Sequence, residues 1–127
     1  VNSCFPDEIR LRDAGLKNGV RWFALEHYYR VITSKGMFTI PTGFQTDGAS
    51  IPKAFHGLLG PHGSWFPAAI FHDWAYSKCS DHRIPRDRKL ADDLFLELMF
   101  NLGVPWWTRH TIHSAVRMFG GRSYKAR

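Results

Sequence analysis

Cysteine is nearly missing from this chain. Cys4 and Cys79 are its two cysteines in 127 residues, far apart and in no C-x-x-C spacing, which excludes a disulfide framework and a zinc knuckle and suits a reducing compartment. Long apolar runs are missing too: none approaches the roughly 18 residues of a membrane-spanning helix. The first residues carry acids where a signal peptide has a basic and then an apolar stretch, so the reading is a soluble chain without a leader. His27, His56, His62, His82, His110 and His113 show no H-E-x-x-H or related spacing, which argues against a zinc site. Finally, acid is absent from Pro105 onward. Arg109, Arg117, Arg122, Lys125 and Arg127 stand there unopposed, while Asp73, Asp81, Asp87, Asp92, Asp93 and Glu97 crowd the preceding segment.

What is present is an ordinary globular composition, 44% hydrophobic and 22% charged, with an aromatic share of 15% and a formal net charge of +6. The length fits one domain over residues 1–127 with a real core. The positive balance favours phosphate-bearing or acidic partners, such as an anionic lipid surface. Arg109, Arg117, Arg122 and Lys125 are the candidate cations for an anion or partner, although Arg109, His113 and Arg117, four apart, also describe a plain solvated helix face. Trp106 and Trp107 read as core or interface rings, and specific nucleic-acid binding is not signalled.

Taken in order, Ile9-Arg10-Leu11-Arg12 alternates as a half-buried strand does, and Asp13-Ala14-Gly15 closes it. After the turn dipeptide Asn18-Gly19, the runs 21–25, 28–33 and 37–40 are aromatic and β-branched, which predicts one small antiparallel meander over about 5–41. Loops follow over 42–63, with a short helical turn at 53–58. Ser64 is placed to cap a first helix with Pro67 in its first turn, ending near Ser77 or Lys78. Pro85 opens a second helix that stops at Gly103, and Pro105 a third that closes at Phe119-Gly120-Gly121, leaving a basic tail over 120–127. The fold class is α+β: strands first, then three packed helices over about 64–119.

The chemistry concentrates in Phe71-His72-Asp73-Trp74-Ala75-Tyr76. An imidazole and a carboxylate stand side by side in an apolar run, where burial costs several kcal/mol (roughly) unless each group is paired. On a helix His72 and Tyr76 share a face, and Asp73 points about 100° away. On the next helix Asp92 shares its face with Phe95, Leu96 and Met99, whereas Asp93 lies between Lys89 and Glu97, so Asp92 is expected to turn inward. Antiparallel packing then brings Asp92 to His72 and Tyr76. A carboxylate holding one ring nitrogen leaves the other to take a proton from water, with Tyr76 donating to the same carboxylate. Asp73, and Asp47 from the loop Gly43-Phe44-Gln45-Thr46-Asp47-Gly48, offer the oxygen donors that calcium prefers.

Two resemblances follow. The motifs Gly43-Phe44-x-Thr46-Asp47-Gly48-Ala49-Ser50-Ile51-Pro52, His72-Asp73-x-x-Tyr76, Arg88-x-x-Ala91-Asp92-x-x-Phe95 and Val116-Arg117-x-Phe119-Gly120 resemble a phage and prophage family of uncharacterised small proteins. That resemblance implies viral or prophage origin, placement in host cytoplasm or virion, and phage structural proteins as partners. The site alone, His-Asp-x-x-Tyr with an Asp about twenty residues on, is similar to the arrangement in secreted phospholipases A2, especially the compact microbial ones. By that resemblance His72 is the general base, Asp73 binds calcium, and Asp92 and Tyr76 orient the imidazole. Three readings result: a calcium-dependent ester hydrolase acting on phospholipid; a noncatalytic tail, capsid-accessory or host-interaction protein in which the same network locks the helices; and, more remotely, a metal-dependent nucleotide phosphohydrolase.

Overall fold

The computed structural model describes residues 4–46, 65–77 and 88–125. Among them are the strands β1 (Leu11–Lys17), β2 (Val20–Leu25), β3 (Tyr29–Thr33), β4 (Gly36–Ile40) and β5 (Gln45–Thr46), followed by the helices α1 (Phe66–Tyr76), α2 (Arg88–Asn101) and α3 (Trp106–Lys125). The architecture is α+β, with strands preceding helices.

The strands form two sheets rather than one meander: β1-β2-β5, and the hairpin β3-β4. The reason lies on the far edge of β2. Gly43 N–H donates to the Leu25 carbonyl and Leu25 N–H to the Phe44 carbonyl, so the returning segment takes the edge that β3 would need. Phe23 and Ala24 then pair with Thr46 and Gln45. β1 also runs farther than its alternation suggests. The ladder slips between Asp13 and Gly15, Gly15 adopts φ +92°, and its N–H donates to Asp13 Oδ1 at 2.7 Å, so the expected stop is a bulge that the strand passes through. Asn18-Gly19 closes the β1-β2 hairpin as expected.

β3 is built on strict alternation: Tyr29, Val31 and Thr33 point inward, Arg30 and Ile32 do not. Residues 4–7 run beside it. Cys4 carbonyl accepts Ile32 N–H, Phe5 stacks on Tyr29 at 5.7 Å, and Asp7 accepts both the backbone N–H and the guanidinium of Arg30. That fork holds the Asp7 carboxyl at about 2, well below its usual range.

β4 meets α1 through Phe38, whose ring packs tilted against Phe71 and Trp74 with centroids 5.9 to 6.3 Å apart. Helix α1 is buried all round from Ala68 to Tyr76, which explains its near-continuous apolar sequence. Its cap position is Trp65 rather than Ser64, which lies outside the described residues, as do the 53–58 turn and Pro85. α2 packs on both α1 and α3. It ends where Gly103, at φ +80°, leads the chain out, and the Gly103 and Val104 N–H groups close on the Phe100 and Met99 carbonyls. α2 is tied to the β3-β4 turn by Glu97, which accepts the N–H and hydroxyl of Ser34.

α3 does not close at Phe119. It continues through Gly120 and Gly121 to Lys125, so most of the expected tail is helix. A Cβ on Gly120 would sit 2.9 Å from the Tyr76 hydroxyl. Gly120 therefore stands there for close approach to Tyr76 of α1, and packing outweighs its poor helix propensity.

Candidate functional site

Three helices meet at Asp92. Its side chain is fully buried, on the inward face that the Phe95 and Met99 periodicity indicates. Oδ1 accepts from His72 Nε2 at 2.7 Å and from the Tyr76 hydroxyl at 2.5 Å, both on α1. Oδ2 accepts from Arg117 Nη1 on α3 at 2.8 Å, with Arg88 Nε 4.0 Å away. Burial pushes the Asp92 carboxyl up, but the bonds from His72 and Tyr76, and then Arg117, outweigh it and hold the group below its ordinary value. Burial, and then the bond to that carboxylate, push the Tyr76 phenol up. Asp92 is therefore the anion of the network and Tyr76 a neutral donor.

The His72 ring packs against the Tyr76 ring at 4.2 Å and stacks on the Phe95 ring at 4.5 Å, which restrains its plane. With Asp92 ionised, Nε2 carries the hydrogen that points at it, and Nδ1 is the nitrogen that carries none. The geometry thus has the pieces of an oriented base: imidazole, carboxylate, and two further donors that keep the carboxylate charged and aimed. It is also sealed, since His72 is 1% and Tyr76 5% exposed.

His72, Tyr76 and Asp92 are brought together as the sequence indicates. Asp73 is buried one residue on, and Asp47 lies outside the described residues. Among the described residues no three His, Cys, Asp or Glu side chains gather as a metal's ligands would. One described carboxylate does not by itself make a calcium site.

Among the described side chains, Arg109 and Arg117 have different partners. Arg117 is engaged by Asp92; Arg109 lies over the Phe100 ring at 4.9 Å and donates to the Val104 carbonyl; Arg122 and Lys125 fall in the last turns of α3. The plain solvated stripe is corrected as well. His113 Nε2 lies 3.0 Å from Asp93 Oδ1, so with Arg117 it faces α2 rather than solvent. Asp93 also takes Lys89 at 2.6 Å, while Glu97 is committed to Ser34.

Two site residues escape a reading of His, Asp and Tyr alone. Arg88 Nη2 donates to the Val116 and Arg117 carbonyls at 2.7 and 2.5 Å, pinning α3 where it delivers Arg117. Gly120 gives the Tyr76 hydroxyl its room. Their sequence signals are spacing: Arg88 is four before Asp92, and Gly120 three after Arg117.

Residues 23–116 match the family described as "Protein of unknown function (DUF1353)". The chain belongs to this family. The matched span includes His72, Tyr76, Arg88 and Asp92, and its end at 116 falls just short of Arg117. The chain is also 29% identical over 86 residues to a Sinorhizobium fredii (strain NBRC 101917 / NGR234) protein named "Uncharacterized protein y4jT". That match covers 64% of this chain but 23% of the relative, so the chain spans about a quarter of the length of that relative. No solved structure matches the chain.

Proposed function

We propose that this DUF1353 domain is a hydrolase of esters, phospholipids foremost, with His72 as its general base. The observation that carries the reading is the 2.7 Å contact between His72 Nε2 and an Asp92 held ionised by three donors. In the proposed step the water oxygen bonds to the ester carbonyl carbon as its proton moves to His72 Nδ1. The imidazolium, held by Asp92, then returns that proton to the departing alkoxide as the carbon–oxygen bond breaks. Tyr76 and Arg117 keep Asp92 charged through the cycle, and Asp73 is the residue assigned to calcium by the phospholipase A2 likeness. The test is fatty-acid release from phospholipid by the wild type and by His72→Gln. The expected loss is about 10²- to 10⁴-fold, as for removal of a positioned base. Undiminished hydrolysis in a folded His72→Gln protein overturns the reading.

A second reading is favoured by the depth of the network, with His72 1% and Asp92 0% exposed. Here the same bonds fix the register of three helices in a noncatalytic component of a phage particle or a host-interaction protein. It predicts no turnover of any ester by the wild type, and recovery of the protein with purified virions or with a host protein.

A further inference from the structure

We propose that the outer face of α3, together with the α2–α3 corner, docks onto an anionic lipid membrane, and that it does so whether or not the His72 network is catalytic. The corner presents large apolar groups to solvent: Phe100 is 61%, Trp106 56% and Trp107 77% exposed, and Met118 farther along is 73% exposed. These are not loose side chains. The two indoles meet edge to face at 5.6 Å, Trp106 rests on His110 at 4.7 Å, and the Arg109 guanidinium covers the Phe100 ring. Between the indoles and Met118, lined also by Thr111 and Ser114, runs a groove of about 390 Å³.

Register sets the rest. Trp107, Thr111, Ser114 and Met118 follow one another at steps of four, three and four, and positions 122 and 125 continue the row. Those positions are Arg122 and Lys125, and no Asp or Glu occurs from Pro105 to the last residue. The row thus starts at Trp107, beside the Trp106 indole, and runs on through two positions of basic sequence.

Charge selects the occupant. A second copy of this chain would bring a net charge of +6 and the same acid-free helix to the contact, so self-association is opposed. An anionic bilayer satisfies both ends: indoles are suited to the headgroup boundary, and Lys and Arg to its phosphates. Among the described residues no helix is long and apolar enough to cross a membrane, so α3 would lie in the interface plane.

The test is cosedimentation of the full chain with vesicles of ether-linked phosphatidylglycerol and phosphatidylcholine, beside vesicles of ether-linked phosphatidylcholine alone. Ether lipids carry no ester to cleave, so the result is independent of the fate of the hydrolase reading. Binding is expected to the anionic vesicles, to weaken as salt rises, and to fall about tenfold or more in Trp106→Ala/Trp107→Ala. Both residues are exposed, and circular dichroism checks that this variant is folded. Failure to bind the anionic vesicles, binding unchanged in the double variant, or equal binding to the uncharged vesicles overturns the proposal. So does a concentration-dependent dimer of the wild type that the double variant abolishes, which would assign the face to a second copy.

Discussion

Replacing Gly120 by alanine sets two known effects against each other. In a helix interior alanine is favoured over glycine by about 1 kcal/mol. At Gly120, however, the added Cβ would stand 2.9 Å from the Tyr76 hydroxyl, closer than carbon and oxygen tolerate. That hydroxyl is the far end of a side chain, but it cannot swing aside, because it donates to Asp92 at 2.5 Å and its ring lies on His72. Overpacking of this kind costs about 1 to 3 kcal/mol, so the net for Gly120→Ala is about 0 to 2 kcal/mol of destabilisation. Gly121 is the internal control. A Cβ there comes no nearer than 3.6 Å to Arg88, an ordinary contact, so Gly121→Ala should stabilise by up to about 1 kcal/mol. Tyr76→Phe separates the causes. Without the hydroxyl, the nearest ring atom is 3.5 Å from the new Cβ, and Gly120→Ala in that background should become neutral or stabilising. Urea denaturation of the four variants and the wild type gives the coupling, expected at about 1 to 3 kcal/mol. If Gly120→Ala stabilises as Gly121→Ala does, or costs the same with and without the hydroxyl, the assignment of Gly120 as the seat of Tyr76 is refuted.

Two further outcomes follow from the charges. Asp92→Asn keeps the shape but removes the anion that Arg117 and His72 face, and should cost about 3 to 5 kcal/mol by denaturation, while Asp93→Asn, at a side chain 41% exposed, should cost no more than about 1 kcal/mol. The Asp7 and Asp92 carboxyls both lie below their ordinary values in the folded chain, so each contributes stability that is complete above the unfolded value, about 3.9, and is lost as pH falls. For Asp7 the loss spans the interval from there to about 2. Thermal unfolding between pH 5 and pH 2, roughly that window, should therefore show a shallower decline in Asp7→Asn than in the wild type; identical slopes would contradict the Asp7–Arg30 fork.

The centre of the site was legible because a helix turns periodicity into direction. His72 and Tyr76 at four apart had to share a face, and the apolar company of Asp92 against the charged company of Asp93 separated two adjacent carboxylates. The class of fold followed from strands preceding helices. What escaped was decided by contacts distant in sequence. The split into two sheets depends on residues 43–46 returning to the edge of β2, which no local pattern in 20–33 records. Glycines at 120 and 121 read as a stop, since propensity is local and the hydroxyl that Gly120 accommodates is some 44 residues away in sequence. Likewise Arg88 and Arg117 look like surface cations until α2 and α3 are packed. Asp13-Ala14-Gly15 read as an end because a bulge and a turn draw on the same residues.

Asp92 receives donors from two other helices, and this has a consequence for how the sequence can vary. A carboxylate with three committed donors is not exchanged one position at a time: loss of His72, Tyr76 or Arg117 leaves it underserved, and its own loss leaves the half-buried Arg117 without its acceptor. Gly120 joins the set through Tyr76, and Arg88 through the α3 carbonyls it holds. These six positions are coupled through contact, so a change at one is expected to call for changes at its neighbours, and a relative that has lost Asp92 should have lost the arginine at 117 as well.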